Sequence, residues 1–482
     1  MHQALLIEEI QLCVFNHISG RLSKRTLAAL ARTCQTFTEA ALNVLWCDLR
    51  SFAKLIQCMP QDLWTVESET SGERESGGLK PSTLKLHRPI TPSDWAFFRK
   101  YSRRVRSMGS LGVKIDGAGI LSLLYSPSAP TPLLPNLTSL GDQHSTSRSN
   151  VFEGLKRSIS RLQNLKTIIW PALGSKTIMS LAQLPALIHV TLNLQPNFSA
   201  YIESLPPRSS MLKPAFSRMH TLTITGYSLR SLIVFLDYFN VHLENLKIAL
   251  KLPSGSPSPA TMIQRLSTAL GSSSSRDTLH RLTVRLRDLG GSNPPGTTCE
   301  IGPLLQFHRL EYLDLDLQCP FIVNDATLLA ICGAWPNIST LLINRGGPWL
   351  SDSYATPSGL VTLLERCPKL EFLSLPLDFS SIDSDDSDSD PMSFAGYKAH
   401  DTGRGARLQD LVLGPFIITH PHAVAKFFAT ILPGPVRITM RWGEPAEEDD
   451  TRPHQVGAGW SSTETIYRKF WADVRNGDKL EG

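Results

Sequence analysis

The chain lacks most of the features that announce a membrane, a metal or a reaction. No apolar run reaches the ~18 residues needed to cross a bilayer. Glu8-Glu9 interrupt the N-terminal stretch where a secretory leader would need an apolar core. The protein is therefore expected to be soluble, cytoplasmic or nuclear. Neither sign of charge dominates: 48 Lys and Arg against 43 Asp and Glu leave a net charge of +5, too small a field to recruit nucleic acid. Charged residues make up 19% and apolar residues 41% of the chain, which excludes wholesale disorder. Cys13, Cys34, Cys47, Cys58, Cys299, Cys319, Cys332 and Cys367 include no pair separated by only two residues, so zinc-knuckle spacing is absent. Several of them fall on apolar faces, where a reduced thiol acts as a small hydrophobe, and this points to a reducing compartment.

Catalytic motifs fail residue by residue. Gly117-Ala118-Gly119-Ile120-Leu121-Ser122 has a serine where a dinucleotide fingerprint needs its third glycine. Gly174-Ser175-Lys176-Thr177 lacks the Gly-Lys adjacency of a phosphate loop, and Gly226-Tyr227-Ser228-Leu229-Arg230 fails the nucleophile elbow at its last position. His420 and His422 flank Pro421 and have no third ligand, and there is no HExxH. The reading is of a protein that is not an enzyme and has no cofactor, no resident metal, and neither nucleic acid nor membrane as a partner.

What is present begins at residue 5. Ile7, Ile10, Val14 and Ile18 recur on one face of a first helix, Leu27, Leu30, Ala31 and Cys34 on that of a second. Ser23 stands ready to cap the second helix. Thr36-Phe37-Thr38-Glu39 reads as a capping box for a third, which carries Phe37, Ala41 and Leu45 with Leu42 and Trp46 alongside. Glu9-Ile10, Val14-Phe15, Ile18, Leu27 through Cys34, Phe37, Ala41-Leu42 and Leu45-Trp46 together resemble the F-box as it occurs in fungal proteins. Ile7 stands where that motif has proline. The resemblance covers about a tenth of the chain. It implies docking on the adaptor subunit of a cullin-RING ubiquitin ligase, with Leu6, Ile10, Phe15, Leu30, Cys34 and Trp46 forming or supporting the docking surface.

A second pattern fills most of the remainder: apolar, two residues, apolar, one residue, apolar. It runs as Leu165/Ile168/Trp170, Leu187/Val190/Leu192, Met219/Leu222/Ile224, Leu243/Leu246/Ile248 and Leu279/Leu282/Val284. It continues as Leu310/Leu313/Leu315, Ile338/Leu341/Ile343, Leu370/Leu373/Leu375 and Leu408/Leu411/Leu413, with Leu137/Leu140 as a possible start. The nine copies span 243 residues in steps of 22 to 38, in or just above the range of leucine-rich repeats. The second and third apolar positions lie two apart and so point to one side of a short strand, while the first packs the preceding turn. Segments such as Ser358 to Cys367 and Asp325 to Trp335 supply helices between strands. One helix-strand unit cannot bury its apolar face alone, so neighbours must stack. Leu363 through Leu375 resembles the repeats of F-box proteins.

The expected fold is an α/β solenoid: a three-helix F-box followed by an irregular leucine-rich-repeat horseshoe closed by a C-terminal capping helix. The boundaries read as 1-60 for the helices and 61-104 for a linker and leading helix, the linker centred on the Ser/Glu/Gly-rich residues 66 to 82. The repeats occupy 105-442, with an acidic insert at 380-405, and the cap, carrying Ile466, Tyr467, Phe470, Trp471 and Val474, occupies 443-482. The basic cluster Arg99, Lys100, Arg103, Arg104 and Arg106 lies among Trp95, Phe98, Tyr101 and Val105 at helical spacing, and reads as a solvated helix face rather than a phosphate site. Asp383 to Asp390 has Pro391 where a calcium loop needs glycine, and instead offers Ser384, Ser387 and Ser389 to an acid-preferring kinase.

The resemblance implies the substrate-recognition subunit of an SCF-type ubiquitin ligase, which holds an unidentified target protein on its repeats. The alternative is a non-catalytic repeat scaffold whose degenerate F-box joins no ligase. Strand positions lying between the buried ones are expected to face the target: Thr191, Asn193, Thr223, Thr225, Lys247, Thr283, Arg285, Asp314, Asp316, Asn344 and Ser374.

Overall fold

Each apolar triple of the repeat folds into one turn and one short parallel strand, and all three of its side chains are buried. From Leu165/Ile168/Trp170 to Leu408/Leu411/Leu413 no member is more than 6% exposed. The computed structural model describes residues 3–18, 23–68, 82–109, 114–115, 126, 128–141, 162–170, 175–194, 197–205, 215–253, 256–273, 275–288, 298–317, 319–344, 355–380, 407–414, 424, 427–428, 431–432 and 436–440. The chain divides into two units, Met1–Thr225 and Gly226–Gly482.

In the first unit a 3₁₀ turn, Gln3–Leu6, leads into α1 (Glu8–Asn16), α2 (Ser23–Thr33) and α3 (Gln35–Cys47). Phe15, Leu27, Ala40 and Ala41 form a core of their own, flanked by Leu12, Ile18, Leu30, Phe37 and Val44. Strand β1 (Asp48–Leu49) follows α3 without a break, then α4 (Ala53–Ile56), β2 (Trp64–Ser68), β3 (Ser82–Leu86), α5 (Pro92–Ser102), β4 (Ser107–Gly109), β5 (Lys114–Ile115), β6 (Ser139–Gly141), β7 (Thr167–Trp170), β8 (His189–Leu194) and β9 (Thr221–Gly226). A sheet runs in the order β1-β4-β6-β7-β8-β9, and its first rung therefore comes straight from the helical region. The flanks of the expected linker are themselves strands. Trp64–Ser68 pairs antiparallel with Ser82–Leu86, and β5 lies parallel to the latter.

Helix α5 starts where its sequence says it should. The Thr91 hydroxyl accepts from the Asp94 amide, and the Asp94 carboxylate in turn accepts from the Thr91 amide at 2.8 Å, with proline at the first helical position. Arg88 donates to both Asp94 oxygens at 2.6 and 3.1 Å and to Asp62 at 2.8 Å, which ties helix α5 to the strands before it.

In the second unit β10 (Asn245–Leu252), β11 (Arg281–Asp288), β12 (Tyr312–Asp316), β13 (Thr340–Ile343), β14 (Phe372–Leu375), β15 (Asp410–Leu413) and β16 (Arg437–Met440) pair in parallel, in chain order. The second apolar position of every repeat occupies one row: Leu246, Leu282, Leu313, Leu341, Leu373, Leu411 and Ile438 are successive register partners. The residues just before each strand extend the ladder. The amides of His280, Glu311, Glu371 and Gln409 donate to carbonyls of the preceding rung at 2.8 to 2.9 Å. Helices Pro259–Ser272, Asp325–Ala334 and Pro357–Arg366 cross between rungs, capped by Ser258, Asn324 and Thr356. Each unit is thus a leucine-rich-repeat-like stack in which helix-strand pairs share one core. The expected capping helix and the acidic insert lie outside the described residues.

Candidate functional site

The N-terminal helices place two kinds of apolar side chain on opposite faces. Leu12, Phe15 and Ile18 turn into the three-helix core, where Phe15 meets Phe37 edge-on with ring centroids 5.6 Å apart. Leu6, Ile7, Ile10 and Val14 turn outward and are 57%, 49%, 36% and 47% exposed. Leu6 and Ile7 stand just before α1, and each lies three or four residues from Ile10, which in turn precedes Val14 by four, so the side chains form one stripe. Ile7 is the N-cap of that helix. Its amide donates to the Ala4 carbonyl at 3.3 Å, a bond that proline could not make, so the preceding 3₁₀ turn sets the start of the helix.

The six sequence-derived docking candidates therefore separate. Leu6 and Ile10 are exposed. Phe15, 4% exposed, is core, because its position on α1 faces α2 and α3. Leu30 is half-buried at the edge of that core, and Cys34 is half-buried as the N-cap of α3. Trp46 is half-buried against Tyr101, with 4.6 Å between ring centroids. Ile7 and Val14 join the stripe although neither was among the candidates; their place in the 3.6-residue period was the signal available for both. The expected capping box at Thr36 does not form: α3 begins one residue earlier, after Cys34, and has no side-chain cap. Glu39 is instead drawn to Arg104 (Nη2 to Oε2, 2.7 Å).

That pairing corrects the reading of the basic cluster as one solvated helix face. Helix α5 ends at Ser102, so Arg103, Arg104 and Arg106 lie in the turn that leads to β4. Arg99, Lys100, Arg103 and Arg106 are exposed, but Arg104 is buried and bonds to both Glu39 and the Asn43 amide oxygen.

The intervening strand positions divide as well. In the first unit Thr191, Asn193, Thr223 and Thr225 are half-buried and alternate with the buried Val190, Leu192, Leu222 and Ile224. In the second unit Lys247 and Arg285 are exposed, and Thr283 and Asp316 are half-buried. Asp314, Asn344 and Ser374 are buried, which corrects their expected exposure. Lys247, Thr283, Asp314, Leu342, Ser374, Val412 and Thr439 form one row of register partners, and in its middle Leu342 and Val412 flank Ser374. Strict alternation assigned this row to polar residues and so overlooked those two. Asp314 is held by Arg285 at 2.9 Å. Asn344 adopts a left-handed backbone (φ 51°), and its side-chain amide donates to the Cys319 carbonyl at 3.1 Å, so it ties the end of β13 to the segment that follows β12. Neighbouring rungs are also joined by Arg281 lying 4.4 Å above the Tyr312 ring and by Arg437 paired with Asp410.

Two cysteines depart from the expectation of reduced thiols. Cys299 and Cys319, 20 residues apart and both buried, are joined as a disulfide. Cys13, Cys34, Cys47, Cys58, Cys332 and Cys367 are free. Burial pushes the Cys58 thiol up to about 11, and a hydrogen bond with Cys332 together with burial raises Cys367. Ser228, the serine of the failed elbow motif, caps the helix Leu229–Phe239 by accepting from the Ser231 amide at 3.2 Å. Gly117, Asp383 to Asp390, His420 and His422 lie outside the described residues. Among the described residues no cluster of His, Cys, Asp or Glu is placed to hold a metal ion, and no helix is long and apolar enough to cross a membrane.

No protein-family model matches this chain, and no curated protein matches it. Solved structures similar to it include two complexes. One is the complex of Rad7 and Elc1 in yeast, 12% identical with a TM-score of 0.32 over 95% of this chain and 94% of that chain. The other is the LRIM1/APL1C complex, 11% identical with a TM-score of 0.28 over 78% of this chain and 60% of that chain.

Proposed function

We propose that this protein is the target-recognition subunit of a cullin-RING ubiquitin ligase. In this reading α1 to α3 act as an F-box that docks on the ligase adaptor, and the repeat strands bind a target protein. The supporting observation is the stripe Leu6, Ile7, Ile10 and Val14, four large apolar side chains left in solvent along α1 and the turn before it, while the other face of that helix is committed to a core. Such a stripe on a small helical unit is a feature of surfaces that bury it in a complex. The protein would perform no chemistry. It would act by holding its target near the ubiquitin-carrying enzyme, so that transfer becomes effectively intramolecular. The exposed Lys247 and Arg285 with the half-buried Thr283 and Asp316 carry both charge signs and suit a protein epitope.

The test is capture of purified adaptor by the full chain. An Ile10→Asp, Val14→Asp double variant, helical by circular dichroism, is expected to lose at least about tenfold in affinity, since two central apolar contacts are removed and two charges put in their place. Failure of the well-folded wild type to bind any adaptor would leave the alternative, a repeat scaffold that joins no ligase. Ile7 at the motif's proline position is the observation that favours this alternative.

A further inference from the structure

The basic residues that leave helix α5 surround a cavity of about 440 Å³ in the first unit, within the size range of small-ligand sites. Its lining includes Arg103, Arg104, Arg106, Glu39, Asn43 and Asn136. Three arginines therefore line the cavity against one acidic residue. Arg104 forms the floor: it is 6% exposed, two of its nitrogens are taken by Glu39 and Asn43, and its buried Nε has no hydrogen-bond partner. Arg103 and Arg106 stand exposed at the rim, and neither has a carboxylate partner among the described residues. The Asn136 side chain donates to the Arg103 carbonyl at 2.7 Å, and the Arg106 amide donates to the Cys47 carbonyl at 2.9 Å, which fixes the backbone that carries both rim arginines. The field is felt nearby: Glu39 is held below its ordinary range, first by its hydrogen bond with Arg104 and also by the charges of Arg103 and Lys100.

We propose that this cavity is a binding site for a phosphate monoester, with the exposed Arg103 and Arg106 clamping the dianion above the buried, carboxylate-paired Arg104. The chemistry fits on two counts. Planar guanidiniums bind tetrahedral oxyanions in paired hydrogen bonds, and the excess of two positive charges matches a dianion better than a single carboxylate. The asparagines, neutral in charge, set the positions without cancelling the field. The phosphate could come from a free small ester or from a phosphorylated side chain; both present the same group. The proposal stands independently of adaptor docking, and its test involves no adaptor.

Purified full-length protein is titrated calorimetrically with inorganic phosphate, then with free phosphoserine and with a short phosphoserine peptide. Wild type is expected to bind inorganic phosphate and phosphoserine, more weakly as salt rises. An Arg103→Gln, Arg106→Gln variant with unchanged circular dichroism is expected to bind at least about tenfold more weakly, because each lost contact is a charge-assisted hydrogen bond. Glu39→Gln, which removes the carboxylate while keeping a hydrogen-bond acceptor for Arg104, is expected to tighten binding. A peptide that binds more tightly than free phosphoserine supports the site with a phosphorylated chain as the source; equal binding supports it with a free ester. No binding of phosphate by wild type at millimolar concentration, or equal binding by the double arginine variant, would overturn the proposal.

Discussion

Arg285 and Asp314 sit on adjacent rungs of the second unit, and Nη2 of the arginine lies 2.9 Å from Oδ2 of the aspartate. They are not opposite each other: Arg285 pairs in register with Asp316, and Asp314 with Thr283. The bond is therefore diagonal, and it uses an exposed cation to neutralise a carboxylate whose side chain is only 2% exposed. Arg285→Ala should strand that carboxylate and destabilise the protein by about 1–3 kcal/mol. Lys247→Ala, at an exposed position in the row of Thr283 and Asp314, should stay within about 0.5 kcal/mol. Denaturant melts of the two variants check the contrast, and equal stability would mean that the pair contributes nothing.

The Asp94 carboxyl is pulled down to about 2, first by the hydrogen bonds from Arg88 and further by those from Thr91, while burial opposes the shift. Its folded value lies below its ordinary 3.8, so the contribution is present above pH 3.8 and is lost as pH falls from there toward 2. With allowance for the solvent that reaches Arg88, the effect is on the order of 1 kcal/mol. Melting temperature measured from pH 6 to 2.5 should fall more steeply for wild type than for Asp94→Asn. Parallel curves would contradict the assignment.

Asn240 and Asn344 share a left-handed backbone, with φ of 44° and 51°. Asn240 ends the helix Leu229–Phe239, its backbone amide donating to Leu236 at 2.9 Å. Asn240→Ala should be less stable than Asn240→Gly by about 1 kcal/mol, because glycine takes the left-handed backbone without the Cβ penalty. The Asn344 side chain donates to Cys319, so Asn344→Gly relieves the backbone yet still loses about 1 kcal/mol or more. Thermal melts of the three variants check these differences, and equal stability of the two Asn240 variants would contradict the backbone assignment.

Thiol alkylation at pH 8 should rank the cysteines by environment. The exposed Cys13 should react first, while Cys58 and Cys367, whose thiols are raised by their surroundings, should lag well behind. Unfolding without reductant should expose six reactive thiols, with the remaining two released only on reduction of Cys299–Cys319. Mass spectrometry of labelled peptides reads both results, and rapid labelling of native Cys367 would contradict the burial described for it.

The sequence by itself determined the repeat and its core. Leu246 through Ile438 fall in one row because a period of two sends alternate side chains to one side of a strand, and stacking then buries them. The local 3.6-residue period also marked Ile7, Ile10 and Val14 as one face, but it grouped Ile18 with them, and that side chain turns into the three-helix core. Tertiary structure alone decided how the remaining side chains are used. Whether Asp314 meets solvent depends on Arg285, 29 residues away, and whether Arg104 is a solvated cation or the floor of a cavity depends on Glu39, 65 residues away. Hydrogen bonds and burial at such separations leave no periodic mark in the chain, because each depends on the way distant segments meet rather than on the spacing of neighbours.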